Sequence, residues 1–207
     1  MAFNRAELES HDDRPVGDQC VHLRGTYDDY EAILRVRGEY AVPRISYLDG
    51  HIIIVTPSRE HEGLKSLIGR LIETYCMWRG KEFTTAGSWT LNDRSGESGA
   101  EPDESYIFDG ADVSRPHLAI EVVWTSVGID KLEIYRRLNV QEVWVWRHGH
   151  VAVHSLTGEG YELLSASRFL PELDLDELLR FVDRPTTSRA MVDYRAHLDA
   201  RAEEPSR

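Results

Sequence analysis

The sequence predicts an α/β fold in which α-helices cover a mixed β-sheet. Two observations predict it. Between Ser58 and Gly80, apolar residues recur at helical spacing from Leu64 to Tyr75, a span of about three turns. Beyond Gly80 the chain is mostly strand-like, with further helices between and after the strands. The length of 207 residues fits one domain better than two.

The N-terminal third predicts a disordered start, a helix and a hairpin. Residues 1–25 mix charge, Gly and Pro without periodicity and are expected to be a poorly ordered lead-in. A short helix is predicted over 26–38, beginning at Thr26. The strands 44–48 and 52–55 flank Asp49-Gly50, a pair that tolerates positive φ and favours a tight hairpin turn.

The remaining elements follow in order along the chain. We expect strands at 82–91, 103–108 and 117–124, a loop at 92–100, a helix at 129–138, a hairpin of 142–146 with 150–155, a strand at 161–165, a short helix from Asp174 to Val182 and a last helix at about 187–200. The predicted domain spans 26–182, and 183–207 form a C-terminal helix with a frayed tail.

Composition excludes several classes of protein. The longest aliphatic run, Ile52 to Val55, is too short to span a membrane, and the first 19 residues lack a signal-peptide core. Two cysteines specify no disulfide framework, so a cytoplasmic location is expected. A net charge of −12 argues against non-specific coating of nucleic acid, but it does not exclude one local phosphate-binding site.

An acidic residue inside an apolar strand is the main chemical signal. Glu121 lies within a segment that is otherwise as apolar as a buried strand, where a carboxylate must be paired, neutralised or bound to a cation. If 103–108 and 117–124 form a hairpin, either Asp103 or Glu104 meets Glu121, because the register is open by one residue. Two carboxylates and a backbone carbonyl would suit Mg²⁺ or Mn²⁺. Neutralisation by an arginine, or a place on a solvated face, is the competing interpretation.

Three further residues have both a chemical and a structural interpretation. Lys131 lies in the first turn of a predicted helix, where the helix dipole disfavours a cation and a compensating partner is expected. His61 and Lys65 lie one turn apart on the long helix and border its apolar stripe. Each of the three, taken singly, is more simply explained as structural or solvent-exposed.

Six segments in order resemble the Uma-two family of restriction endonuclease domains, in the PD-(D/E)XK nuclease superfamily. The resemblance covers about residues 26–182. The segments are Tyr47-Leu48-Asp49-Gly50, Thr56-Pro57-Ser58-Arg59-Glu60-His61, Ala100-Glu101-Pro102-Asp103-Glu104, Ala119-Ile120-Glu121-Val122-Val123, Lys131-Leu132-Glu133-Ile134-Tyr135 and Val140-Gln141-Glu142-Val143-Trp144. The resemblance implies a restriction-endonuclease-like mixed β-sheet flanked by α-helices.

The resemblance also implies a divalent-metal mechanism. Asp103, Glu121 and Val122 would bind Mg²⁺ or Mn²⁺, and the catalytic set would be Asp103, Glu121, Lys131 and His61. The metal would lower the pKa of an attacking water.

The sequence departs from the family pattern at two positions. Val123 replaces the usual lysine, and Lys131 matches a lysine that such families place on the following helix. His51 stands where relatives often have Glu, so an outer acidic group is missing unless Glu62 or His61 replaces it.

Three functions compete at this point. The first is a Mg²⁺-dependent endodeoxyribonuclease. Its expected partner is DNA, no membrane partner is expected, and a homodimer is left open. The second is a catalytically impaired nuclease-fold module that binds nucleic acid or a protein, which the net charge, Val123 and His51 favour. The third is an oligomeric scaffold using Trp124, Trp144 and Trp146, although these residues are more simply explained as core.

Overall fold

A computed structural model describes residues 17–110, 114–123 and 129–203 of the chain. Its helices are α1 (Tyr27–Arg37), α2 (Arg59–Arg79), α3 (Lys131–Arg137), α4 (Leu175–Leu179) and α5 (Thr187–Glu203). Its strands are β1 (Gln19–Arg24), β2 (Arg44–Leu48), β3 (His51–Thr56), β4 (Phe83–Thr85), β5 (Leu91–Asp93), β6 (Ser98–Ala100), β7 (Glu104–Phe108), β8 (Leu118–Val122), β9 (Glu142–Arg147), β10 (His150–Thr157) and β11 (Gly160–Leu164).

The strands form two sheets. The larger sheet has the order β11-β10-β9-β8-β7-β4 and is mixed, because β8 and β9 run parallel while its other neighbours are antiparallel. The smaller sheet has the order β1-β3-β2-β6-β5 and is antiparallel throughout. The predicted α/β class with a mixed sheet flanked by helices is confirmed, and the second sheet is an addition to it.

Helices cover both faces of the mixed sheet. On one face Ile120 and Trp144 pack with α2, α4 and α5 in the main core. On the other face Ala119 and Val143 pack against α3 through Ile134. Successive residues of β8 therefore face different helices, as the alternation of a strand requires. This alternation directs Glu121 toward α3.

Helix ends lie where the sequence places them because the capping residues act locally. Thr26 caps α1 in a capping box with Asp29. Ser58 caps α2, which ends at Gly80 in the left-handed conformation. The Asp49-Gly50 turn joins β2 and β3 with positive φ at both residues.

Three predicted segments need correction. The lead-in of residues 1–25 contains β1, an exposed edge strand. Backbone pairing with β3 holds this strand, and a strand held in this way needs no apolar periodicity in its sequence. Residues 1–16 lie outside the described part. The strand predicted at 82–91 is divided between β4 in the mixed sheet and β5 in the smaller sheet. The loop predicted at 92–100 forms the β5–β6 hairpin, which β2 extends into a sheet.

The C-terminal helix joins the main core. Tyr194 and Leu198 of α5 are buried with residues of α2, and Trp78 of α2 donates a hydrogen bond to Asp199 at 2.9 Å. Trp144 and Trp146 are core residues, whereas Trp124 lies outside the described residues. No helix within the described ranges combines the length and the apolar character needed to cross a bilayer.

The two cysteines should differ sharply in reactivity. Cys76 is fully buried on α2, and burial raises the pKa of its thiol to about 12, whereas Cys20 is exposed on β1. Because the thiolate is the reactive form, a disulfide reagent at pH 8 should label one thiol per native chain and two in denaturant. Cys20→Ser should abolish the native reaction. Rapid labelling of Cys76 in the native protein would contradict the described packing of α2.

Candidate functional site

The β7–β8 hairpin brings two acidic residues together. Its register pairs Glu104 with Ile120, and one further step along the strands places Asp103 opposite Glu121. The Asp103 amide donates to the Ile120 carbonyl at 3.0 Å, and the Val122 amide donates to Asp103 Oδ2 at 2.6 Å. Asp103 is therefore the neighbour of Glu121 at this end of the mixed sheet.

Glu104 turns to the opposite face of the hairpin. Its Oε1 atom lies 3.5 Å from Lys65 Nζ on α2, and its side chain packs beside Gly69 of the same helix. Strand alternation separates it from Asp103 in this way. The alternative in which Glu104 accompanies Glu121 is wrong.

Asp103 is buried and surrounded by basic side chains. It is 2% exposed, and Arg44 of β2 forms an ion pair with its Oδ1 atom. Arg44 is itself buried and donates to Glu62 Oε1 at 2.6 Å. Lys65 Nζ donates to the Asp103 carbonyl at 3.3 Å. These contacts with cations offset part of the cost of placing the carboxylate in the interior.

His61 of α2 lies against the same carboxylate. Its Nε2 atom is 3.0 Å from Asp103 Oδ2, and its Nδ1 atom is 2.8 Å from Oδ2 of Asp18. The ring is 4% exposed. The structure thus places the predicted catalytic histidine beside the predicted catalytic aspartate, with Asp18 as an unforeseen partner.

Glu121 is held by two residues of α3. The Tyr135 hydroxyl donates a short hydrogen bond to Glu121 Oε1, and Lys131 Nζ lies 3.1 Å from the same atom. Complete burial, and then the charge of Glu121, raises the pKa of Tyr135, so this hydroxyl stays protonated and acts as a donor. The positive charge of Arg44 opposes that rise.

Lys131 has the compensating partner that its position demands. Asp130 caps α3 by accepting the Glu133 amide at 3.0 Å, so Lys131 begins the helix, where the dipole is unfavourable for a cation. Its contact with Glu121 offsets that cost. Glu133 accepts hydrogen bonds from Arg136 and Arg137 at the other end of the helix. These bonds, the one from Arg136 first, lower the pKa of Glu133 to about 2.

The charges around the acidic pair leave a deficit of positive charge. Five carboxylates and three Arg or Lys side chains are linked by ion pairs here or through His61, which gives these eight side chains a formal charge of −2. The residues are Asp18, Glu62, Asp103, Glu104 and Glu121 against Arg44, Lys65 and Lys131. A divalent cation would balance this charge.

The donor chemistry fits Mg²⁺ or Mn²⁺ held in part by solvent. Within residues 17–110, 114–123 and 129–203, no group of three or more His, Cys, Asp or Glu could hold a metal ion. Mg²⁺ is commonly held by one or two carboxylates and completes its shell with water and substrate phosphate. Asp103 and Glu121 supply such a pair, and the buried His61 Nε2 has no hydrogen-bond partner among the described residues.

A cavity opens directly beside Glu121 and Lys131. Its volume is about 880 Å³, which is large enough for a nucleotide-sized ligand. Aliphatic residues such as Val145 and Leu132 line it, together with the basic side chain of Arg147. Arg147 and Lys131 are therefore two basic residues of an overall acidic chain that line the same cavity as Glu121.

The two departures from the family pattern have structural consequences. Val123 follows β8 and lines the cavity, and the Lys131 ammonium, from the following helix, lies 3.1 Å from Glu121 Oε1. His51 begins β3, directly after the Asp49-Gly50 turn. Glu62 contacts Arg44 and Lys65, and each of these two cations contacts Asp103.

Three residues of the site were not predicted from the sequence. Arg44 begins an apolar strand, which was a detectable signal, since a buried arginine requires an acidic partner. Tyr135 appears in the sequence only as part of a family-like segment, and the hydroxyl of a buried tyrosine requires a partner. Asp18 carried no local signal, because its contacts are 40 and 43 residues away.

The fold and the acidic pair define a class of α/β proteins with carboxylates on adjacent central strands. The model of the Uma2 family, described as "Putative restriction endonuclease", matches residues 27–186. The chain belongs to this family, which confirms the resemblance seen in the sequence.

One solved structure and one negative result complete the comparison. A protein from Anabaena variabilis, described as "a putative nuclease belonging to DUF820", is 14% identical to this chain with a TM-score of 0.44. The match covers 77% of this chain and 96% of that one. A search of curated proteins finds no match.

Proposed function

We propose that this protein is a metal-dependent endonuclease that hydrolyses phosphodiester bonds of DNA with Mg²⁺ or Mn²⁺. The observation that carries the proposal is the position of Asp103 opposite Glu121, with Lys131 bound to Glu121. Family membership supports nuclease chemistry. In this chemistry a water oxygen bonds to phosphorus, one ester P–O bond breaks, and the leaving oxygen takes up a proton.

Each side chain has a distinct role in this proposal. Asp103 and Glu121 would hold the metal with the Val122 carbonyl, and the metal would lower the pKa of the attacking water and polarise the phosphate. Tyr135 orients Glu121 through its hydroxyl. Lys131, whose side chain is 20% exposed, can reach a phosphate oxygen and stabilise the charge that develops there.

A second candidate function is a catalytically impaired module that binds nucleic acid or a protein partner. The ion pair between Arg44 and Asp103 favours it, because it already compensates the carboxylate without a metal. The two candidates differ in what Arg44 does when metal is added. In an endonuclease, metal binding weakens this pair, whereas a module retains it.

Incubation with supercoiled plasmid tests the proposal. Wild-type protein should nick the plasmid with Mg²⁺ or Mn²⁺, and excess chelator should stop the reaction. The double variant Asp103→Ala with Glu121→Ala, purified identically, should be inactive. Equal nicking by both proteins would identify a contaminating nuclease and remove the proposal. Metal binding without any cleavage of DNA or RNA would favour the impaired module.

A further inference from the structure

The cavity beside Glu121 lies on a part of the mixed sheet that α3 covers only partly. The strand register places Glu121 of β8 opposite Val145 of β9, and Val145 opposite Ala152 of β10. Two residues further along β10, His154 pairs with Leu163 of β11. Because residues two apart on a strand share a face, these side chains form one continuous floor that begins at the acidic residue. All of them line the cavity.

The floor of this cavity is mainly aliphatic and partly open to solvent. Val145 and Ala152 are half-buried, and Leu163 is 68% exposed. Burial lowers the pKa of His154 in the same floor, so its ring is neutral near pH 7 and can both donate and accept a hydrogen bond. An apolar surface with a few polar groups matches a nucleobase, which has flat faces and a polar edge.

A basic group that the fold does not use stands at the rim of the cavity. Arg147 and His150 pair across the β9–β10 hairpin, and both are exposed. The Arg147 side chain makes no hydrogen bond or ion pair within the described ranges. Strand spacing and rise place the Arg147 backbone about 8 Å from that of Glu121. This is close to one nucleotide step, so Arg147 can bind the phosphate next to the one that Lys131 reaches.

The acidic pair is recessed, which limits the form of DNA that can reach it. Asp103 is 2% exposed and Glu121 is 6% exposed, and the cavity opens beside Glu121. The floor from β8 to β11 spans three strand spacings, or about 14 Å, which is narrower than a DNA duplex. The volume of about 880 Å³ accommodates single nucleotides and no stack of base pairs. A base that enters the cavity has therefore left the stack of a duplex.

We infer that this cavity binds an unpaired DNA base beside the bond that is cleaved, with Leu163 against the base and Arg147 on the neighbouring phosphate. The inference rests on the proposed function and names its substrate as DNA that contains an unpaired nucleotide, such as a bulge. A fully paired duplex is a poorer substrate, because the nucleotide must first be extruded at the cost of pairing and stacking. Leu163 and Arg147 thus determine specificity and take no part in the proposed metal binding.

Fluorescence anisotropy with the full-length protein tests the inference without relying on cleavage. Two labelled duplexes differ by one unpaired adenine, and excess chelator prevents the metal-dependent reaction. Wild-type protein should bind the bulged duplex at least about tenfold more tightly than the paired one. Leu163→Asp places a charge against the base and should remove this preference. Val192→Asp, at an exposed aliphatic residue of α5 outside the cavity, is the matched control and should retain it.

Arg147→Gln tests the phosphate contact separately. It should weaken the binding of both duplexes to a similar extent and reduce the slope of log affinity against log salt by about one. Arg70→Gln, at an exposed arginine of α2 outside the cavity, is the matched control and should bind as wild type does. Unchanged affinity and salt dependence in Arg147→Gln would overturn the phosphate contact.

A 2-aminopurine at the unpaired position reports where the base lies. Its emission is quenched by stacking, and no Phe, Tyr or Trp belongs to the described residues that line the cavity. Emission should therefore rise when wild-type protein binds and stay unchanged with Leu163→Asp. Leu163→Ser is the second variant if Leu163→Asp does not fold by circular dichroism. Emission that does not change on wild-type binding would overturn the inference.

The outcomes separate this inference from the proposed function. If wild-type protein nicks plasmid with metal but binds both duplexes equally, or if Leu163→Asp and Leu163→Ser keep the preference, the inference is wrong and the endonuclease stands. If the bulged duplex is preferred through Leu163 but no DNA is cleaved with Mg²⁺ or Mn²⁺, the base site stands and the impaired module replaces the endonuclease. If neither duplex is bound, the inference is overturned whatever the plasmid assay shows.

Discussion

Replacing Glu121 with glutamine should lower the rate of metal-dependent DNA cleavage by about 10³-fold or more. A metal ion that activates water and polarises phosphate contributes several kcal/mol to the transition state, and each 1.4 kcal/mol is a factor of ten in rate. Glutamine keeps an oxygen for the Tyr135 hydroxyl but removes the negative charge. Single-turnover cleavage of a labelled duplex at saturating protein measures the effect on the chemical step.

The Glu121→Gln variant should fold normally, because the substitution removes a negative charge and keeps the size of the side chain. Lys131 can turn its partly exposed ammonium toward solvent, so no buried cation is left unpaired. Glu133→Gln removes a carboxylate from α3 that binds only Arg136 and Arg137 in the described contacts, and it should cleave at nearly the wild-type rate. A Glu121→Gln rate within tenfold of wild type would show that this carboxylate does not hold the metal.

Replacing Glu142 with alanine should reduce the free energy of unfolding by about 3 kcal/mol or more. Glu142 is fully buried in β9 and accepts three hydrogen bonds: from Trp144 Nε1 at 2.6 Å, Ser167 Oγ at 2.5 Å and the Arg168 amide at 2.8 Å. Hydrogen bonds to a charged group contribute about 1.5–3 kcal/mol each, and buried donors left unsatisfied add a penalty. Urea denaturation followed by tryptophan fluorescence measures the change.

Two variants make the Glu142 result specific. Glu142→Gln retains one carbonyl oxygen and should lose less stability than the alanine variant, although its amide nitrogen cannot accept from the remaining donors. Glu159→Ala, at an exposed turn, should change stability by less than about 0.5 kcal/mol. If all three variants unfold at the same urea concentration, the buried network around Glu142 does not stabilise the fold.

Glu142 also shows why one buried acid was recognised and another was not. Glu121 stands out because apolar residues surround it in the sequence on both sides, whereas Glu142 follows Gln141 at the start of its strand. Its partners Ser167 and Arg168 lie 25 and 26 residues later. A buried carboxylate whose hydrogen-bond donors lie far along the chain has no signature in the local sequence pattern.

The helices and tight turns were predicted because their determinants lie within a few residues. The Thr26 and Ser58 caps, the Gly80 terminus and the Asp49-Gly50 turn all act over four residues or fewer. Short strands without apolar alternation were missed or misassigned. β1, β5 and β6 exist because neighbouring strands supply backbone hydrogen bonds. β1 pairs with β3 and β6 pairs with β2, both remote in sequence, whereas β5 pairs with β6 across a short turn.

The candidate site also combines residues that the local sequence identifies with residues that only folding brings together. Asp103, Glu121 and Lys131 are recognisable because each conflicts with its local surroundings or matches a family motif. The choice of Asp103 over Glu104, the arginine that pairs with Asp103 and the aspartate that orients His61 depend on segments that meet only in the folded chain. Local sequence specifies which residue types carry charge, whereas the pairing of charges in a low-dielectric interior depends on distances that folding alone establishes.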